Sequence, residues 1–159
     1  MIRVLVADDH PIVRSGIVAL LETAPDVEVV GQAAAGDEAV ELALALRPDL
    51  VLMDLRMPGL TGDEATARIL ATAPDIRVIV LTTYESDESI LTAIEAGASG
   101  YLLKAAPQEE ILAGIRSVAR GEVALAPSIA ALLVRRVAKP AAVTLSPREI
   151  GRASCRERV

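Results

Sequence analysis

One cysteine, one histidine and two aromatic residues are all of those types that the 159-residue chain contains. A lone Cys155 excludes an internal disulfide and a cysteine-based metal cluster, as expected in a reducing compartment. A lone His10 is a poor ligand set. Next to Pro11 at the start of a helical pattern, it reads as a loop residue. Long hydrophobic runs are missing too: charged residues, Pro or Gly interrupt every stretch before the roughly 18 residues that a membrane span needs. The amino terminus, MIRVLVADDH, carries one Arg and then two acids, which is no signal peptide. These absences point to a cytoplasmic chain that does not enter a membrane.

The charge is uneven. Residues 1–104 hold 17 Asp+Glu against 7 Lys+Arg, and residues 105–159 hold 5 against 9. An acidic first part argues against a nucleic-acid surface there and permits a cation site; the basic end could belong to a segment that meets DNA. Arg135, Arg136 and Lys139 read as a solvated helix face and linker.

Five apolar runs rich in β-branched residues begin about 22 to 28 residues apart, at 2–7, 27–30, 50–53, 78–81 and 100–103. Segments of helical spacing lie between and after them, such as Val13, Ile17, Leu20 and Leu21, or Ile111, Leu112, Ile115 and Val118. Pro25, Pro48 and Pro74 each end a helix before the next strand. Strand alternating with helix predicts a parallel sheet covered on both faces. After Gly121 the pattern changes, with one further helix over 127–137 and a linker over 139–143.

Ligands of an open parallel sheet bind beyond the carboxyl ends of its strands. The first run ends in Asp8-Asp9, the third in Asp54, the fourth in Thr82-Thr83 and the fifth in Lys104, whereas the second offers nothing ionic. Taken singly, Asp54 is a turn or cap residue, Thr82 a strand residue and Lys104 a solvated terminus. Their convergence favours a shared site. Clustered carboxylates repel unless a hard cation sits among them, and oxygen ligands without a His/Cys cluster select Mg2+. One carboxylate could then attack a phosphoryl group, with Lys104 neutralising its oxygens and the Thr82 hydroxyl donating to one.

The set Asp8-Asp9, LMDLRMPGLTG around Asp54, LTTYES and GASGYLLK resembles the receiver domain of two-component response regulators over residues 1–121. RVLVADDHPIVRSGI and TLSPRE are similar to the NarL/FixJ subfamily, whose members carry a LuxR-type helix-turn-helix output domain. The resemblance implies a flavodoxin-like (βα)5 doubly wound parallel sheet of strand order 2-1-3-4-5. It makes Asp54 the acceptor of a phosphoryl group from a sensor histidine kinase. It makes Asp9 and Asp54 side-chain ligands of Mg2+, Arg56 a backbone-carbonyl ligand and Asp8 an acid acting through water. Thr82 becomes the switch hydroxyl, Tyr101 the switch aromatic and Lys104 the strand-five lysine. Taken alone, Tyr101 on an edge-proximal strand would pack half-buried with its hydroxyl in water. A homodimer on phosphorylation is implied as well, and no turnover of a separate substrate. Ala105-Ala106 intervene before Pro107, so no cis bond is expected there. A dehalogenase-like phosphatase would want an acid where Arg56 stands, and a receiver that no longer takes phosphate is the remaining alternative.

Residues 144–149 look like the opening of the output domain, and 150–159 do not continue it. In GRASCRER the apolar spacing collapses, and four arginines fall between Arg148 and Arg158. That stretch resembles an in-frame reading of a sequencing adapter and is expected to be foreign to the natural gene. No second helix for a DNA groove remains, so the chain as written is expected not to bind a promoter specifically.

Overall fold

Alternating secondary structure runs through the computed structural model, which describes residues 1–82 and 92–125. The elements are β1 (Ile2–Ala7), α1 (Pro11–Glu22), β2 (Val27–Ala33), α2 (Gly36–Leu46), β3 (Leu50–Met53), α3 (Gly62–Thr72) and β4 (Arg77–Thr82), then α4, whose described part covers 92–95, β5 (Gly100–Leu103), α5 (Gln108–Ala119) and β6 (Ala124–Leu125). All strand pairs are parallel, in the order β2-β1-β3-β4-β5-β6. The first five strands have the flavodoxin-like order 2-1-3-4-5 that the motifs imply. The expected helix over 127–137, the linker and the tail lie outside the described residues.

Local chemistry sets the element ends. Pro11 opens α1, where its missing N–H leaves no bond unmade. Glu64 reaches back to the Thr61 backbone N–H at 3.1 Å in a capping box that starts α3. Arg47 ends α2 in the left-handed region at φ 51, its N–H donating to the Ala43 carbonyl.

The core is aliphatic. Every residue of β3 is buried, as are Val4, Leu5 and Val6 of β1, in accord with central parallel strands covered on both faces. Ala39 and Ala43 of α2 and Ala65 of α3 are fully buried against β1 and β3, and such small side chains let the two helices lie close to the sheet. Among the described residues no helix is long and apolar enough to cross a membrane.

Three features depart from the sequence reading. β2 runs on to Ala33, past a bulge: Val4 pairs with Val29 but Leu5 with Gly31, which leaves Val30 as the extra residue. β4 includes Arg77 and Thr82 at its ends. A sixth strand, β6, covers the outer edge of β5.

A long-range ion pair fastens the helix face away from the acidic loops. Arg116 of α5 grips Asp26, before β2, through Nε–Oδ2 at 2.9 Å and Nη2–Oδ1 at 3.0 Å. The Arg116 hydrogen bonds hold the Asp26 carboxyl below its ordinary 3.8. A lowered carboxyl pKa contributes stability above the unfolded pKa and loses it as pH falls through the folded one. Both side chains are exposed, so the contribution is small. Arg116→Ala is expected to lower the urea midpoint slightly at pH 7, and the difference from wild type should close as the pH drops below 3.8.

Candidate functional site

The ends of β1 and β3 deliver their acids side by side because the sheet ladder continues one residue beyond each strand. The Asp8 N–H donates to the Ala33 carbonyl at 2.9 Å, and the Asp54 N–H donates to the Ala7 carbonyl at 3.0 Å. Both carboxylates are thereby set on rigid, buried backbone. Asp8 is 1% exposed and Asp54 5%.

Lys104 reaches in from the end of β5. Its Nζ lies 2.6 Å from Asp8 Oδ2 and 3.4 Å from Asp54 Oδ2, so the ammonium favours Asp8 and leaves Asp54 less compensated. Burial pushes the Asp54 carboxyl above 3.8, opposed by the Lys104 charge and abetted by Asp8. The N–H of Arg56 donates to the same carboxylate, which partly offsets that rise. Arg56 itself is exposed.

Two buried oxygens, Asp8 Oδ2 and Asp9 Oδ1, receive no hydrogen bond; the first has the Lys104 ammonium 2.6 Å away and the second the His10 Nδ1 at 3.1 Å. Such acceptors leave room for a water or a cation. One ligand atom each from Asp8, Asp9, His10 and Asp54 come within 4.8 Å of one another. The acids fit a hard divalent ion.

His10 is the loop residue that the sequence predicts, directly before α1, and its ring stands beside the acids. Its Nδ1 lies 3.1 Å from Asp9 Oδ1 and 3.4 Å from Asp8 Oδ1. The sequence does place it directly after Asp8-Asp9, but whether the ring folds back over the acids depends on the turn into α1. Tyr101 departs from the sequence reading. It is fully buried rather than half-exposed, because β6 makes β5 an interior strand. In the register Val80 pairs with Tyr101 and Thr82 with Leu103, so Thr82 and Tyr101 stand two residues apart along adjacent strands. Thr83 lies outside the described residues.

Two kinds of supporting residue escaped the sequence reading. Arg14, one helical turn after His10, donates from Nη1 to the Asp8 carbonyl at 2.7 Å and from Nε to Gln32 Oε1 at 3.2 Å. A cation one turn after paired acids was the available signal. Gly36 and Gly62 lie at backbone crossings. A Cβ on Gly62 would stand 2.2 Å from the Asp54 carbonyl oxygen, and one on Gly36 2.0 Å from that of Leu60.

A cleft of about 520 Å³ lies at the opposite end of the strands between Arg47, Asp49 and Arg77. Its charges serve the fold. Arg3 donates to the carbonyls of Arg47 and Leu46, its N–H is taken by Asp49, and Arg77 donates to the Val118 carbonyl.

Comparison with known proteins identifies the family. Residues 4–116 match the family model described as response regulator receiver domain. The chain is 46% identical over 137 residues to the transcriptional regulatory protein LiaR of Bacillus subtilis, which covers 86% of this chain and 65% of LiaR. It is 44% identical over 154 residues to the response regulator GacA of Pseudomonas protegens, covering 94% and 72%. The chain thus spans 65% and 72% of the length of these two relatives. Among solved structures, a LuxR-family two-component response regulator from Aurantimonas superposes with a TM-score of 0.82 at 38% identity, covering 86% of this chain and 99% of that one. With its strand order, its strand-end acids and these matches taken together, the chain belongs to the response regulator receiver family of two-component signalling proteins, among members of the NarL/LuxR type.

Proposed function

We propose that this chain accepts a phosphoryl group on Asp54 from a sensor histidine kinase and passes the event to an output domain that controls transcription. The observation that carries the proposal is a carboxylate held on rigid backbone at the end of a buried strand, beside an acid pair and within reach of Lys104. Asp54 attacks phosphorus, the P–N bond of the donor phosphohistidine breaks, and an acyl phosphate forms. A phosphoryl group adds roughly one and a half to two negative charges at neutral pH, which require positive partners. Lys104 can supply one by turning from Asp8. Asp8, Asp9 and Asp54, with the Arg56 carbonyl, would hold Mg2+. That ion supplies charge neutralisation of the transferring oxygens.

Thr82 ends the strand next to β5 and is the candidate to donate a hydrogen bond to the phosphoryl group. Tyr101, fully buried, would report its movement. Phosphotransfer from a kinase requires a docking surface close to Asp54. α1 offers one: Ile12 and Val13 are exposed beside a groove of about 260 Å³ that Lys104 also lines. Transcriptional control is supported by the relative named a transcriptional regulatory protein. Direct DNA contact would need the longer chain of such relatives.

The test is incubation with acetyl phosphate and Mg2+, followed by intact mass and by peptide mapping after borohydride trapping. One phosphoryl group on the peptide containing Asp54, dependent on Mg2+, is expected. A chain that stays unlabelled, or is labelled elsewhere, refutes the proposal and favours a receiver that no longer takes phosphate. Arg14 orients the Asp8 backbone, and loss of such support commonly weakens a metal site by about 10- to 100-fold. Arg14→Ala should therefore lower Mg2+ affinity by about tenfold in calorimetry, with the wild-type circular dichroism retained.

A further inference from the structure

We propose that β6 is the element through which the switch acts on the rest of the chain: it stays paired with β5 while Tyr101 keeps its buried position, and it comes away when Asp54 is phosphorylated. The inference rests on the phosphoacceptor reading above and adds where the event leaves the receiver fold. Its starting point is the register. Tyr101 is flanked by Val80 of β4 on one side and by Leu125 of β6 on the other. Thr82 stands two residues beyond Val80 on β4. A shift of this strand end toward the phosphoryl group that lets Tyr101 repack therefore acts on the strand that holds β6. Residues 126–159 follow directly on β6.

β6 is built to part from β5. It has two residues, so only the pairings Gly100–Ala124 and Tyr101–Leu125 join it to the sheet. The Ala124 N–H donates to the Ser99 carbonyl at 3.1 Å. Glycines make its seat. A Cβ on Gly100 would lie 2.8 Å from the Ala124 carbonyl oxygen, and one on Gly114 of α5 3.6 Å from Ala124 Cβ. Packing beside it is incomplete, for a cleft of about 240 Å³ opens between α5 and β6, bordered by Gly114, Ser117, Val123 and Ala124. The pivot is defined as well. Gly121, at φ 91, ends α5 with its N–H on the Val118 carbonyl, and the Glu122 N–H donates to the Ser117 carbonyl at 3.0 Å. Val123, 71% exposed, separates this fixed end from Ala124. A segment with so few buried contacts opens far more easily than the fold as a whole, which is what a switch element requires.

Linkage makes the test two-sided: if activation loosens β6, then loosening β6 must favour activation by the same factor. Amide exchange of Ala124 in the full chain is followed by NMR with and without Mg2+ and beryllofluoride, a phosphoryl mimic, and should quicken about fivefold or more on activation. Two substitutions away from the acids weaken β6. Ala124→Pro removes the N–H that donates to Ser99, and Gly100→Ala drives a Cβ against the Ala124 carbonyl. Each should tighten beryllofluoride binding by up to that factor and, without the mimic, move the Tyr101 resonance toward its activated position. Tyr84 and Tyr101 are the chain's only tyrosines, so fluorotyrosine labelling gives two signals and Tyr84→Phe assigns them. Should Gly100→Ala unfold the sheet, Ala124→Pro decides, and the wild-type exchange needs neither. Ala124 exchange that activation leaves unchanged overturns the proposal, as do folded variants with wild-type beryllofluoride affinity and Tyr101 signal. If Asp54 labels with acetyl phosphate while these quantities stay still, this inference alone fails. If Asp54 never labels and beryllofluoride does not bind, the phosphoacceptor reading fails and this one with it.

Discussion

Asp54→Asn should take up no phosphoryl group under conditions that label the wild type fully, as read by intact mass. The amide has no nucleophilic oxygen anion, and among the described residues no other acid couples burial at a strand end with Lys104 beside it except Asp8, whose Oδ2 is already tied to that ammonium at 2.6 Å. The same substitution should change stability in a defined direction. Burial raises the Asp54 carboxyl above 3.8. A raised folded pKa means that stability is full below the unfolded value and is lost as pH rises through the folded one. Wild type therefore carries a cost at neutral pH that asparagine lacks. In metal-free buffer the variant should have the higher urea midpoint at pH 7, and the gap should narrow on acidification toward 3.8. Labelling of the variant would end the assignment of Asp54. A gap that widens on acidification would show that burial does not govern this carboxyl.

Gly62→Ala should cost about 3 kcal/mol and slow phosphorylation of the surviving folded protein at least tenfold. The added Cβ would lie 2.2 Å from the Asp54 carbonyl oxygen and 2.8 Å from Leu55 Cα, both backbone, so no flexible side chain can yield. Overpacking in such places typically costs 1–3 kcal/mol, occasionally more. Here the strain lands on the peptide that carries the acceptor, and the Gly62 N–H also donates to the Leu55 carbonyl at 2.9 Å. Gly16→Ala supplies the contrast. Gly16 sits within α1 with nothing within 4 Å of an added Cβ, so the same substitution should stabilise by about 0.5–1 kcal/mol through helix propensity. Urea denaturation of both variants, paired with acetyl phosphate labelling, checks the pair. Equal midpoints would mean that the crossing of α3 over the Asp54 peptide does not restrict this position.

Much of this molecule can be read without coordinates because its information is local. Runs such as LVLM and the apolar spacing of ILAGIRSV report which element forms and which residues are buried, since burial within a strand or helix follows a fixed period. The general rule that parallel sheets bind at their carboxyl ends then brings Asp8, Asp9, Asp54 and Lys104 together in principle. The fold class and the identity of the candidate acids needed nothing further. What the tertiary structure decided is who touches whom. Lys104 lies nearer Asp8 than Asp54 because a flexible side chain from β5 settles where two strand ends, 46 residues apart in sequence, place their oxygens. His10 joins the acids and Arg14 holds the Asp8 carbonyl through the geometry of one turn, which a composition pattern does not encode. β6 was too short to carry a period, and its pairing with β5 is what buries Tyr101. Gly62 reads as an ordinary helix start until the Asp54 peptide passes beneath it, because excluded volume depends on the neighbour and not on the residue alone.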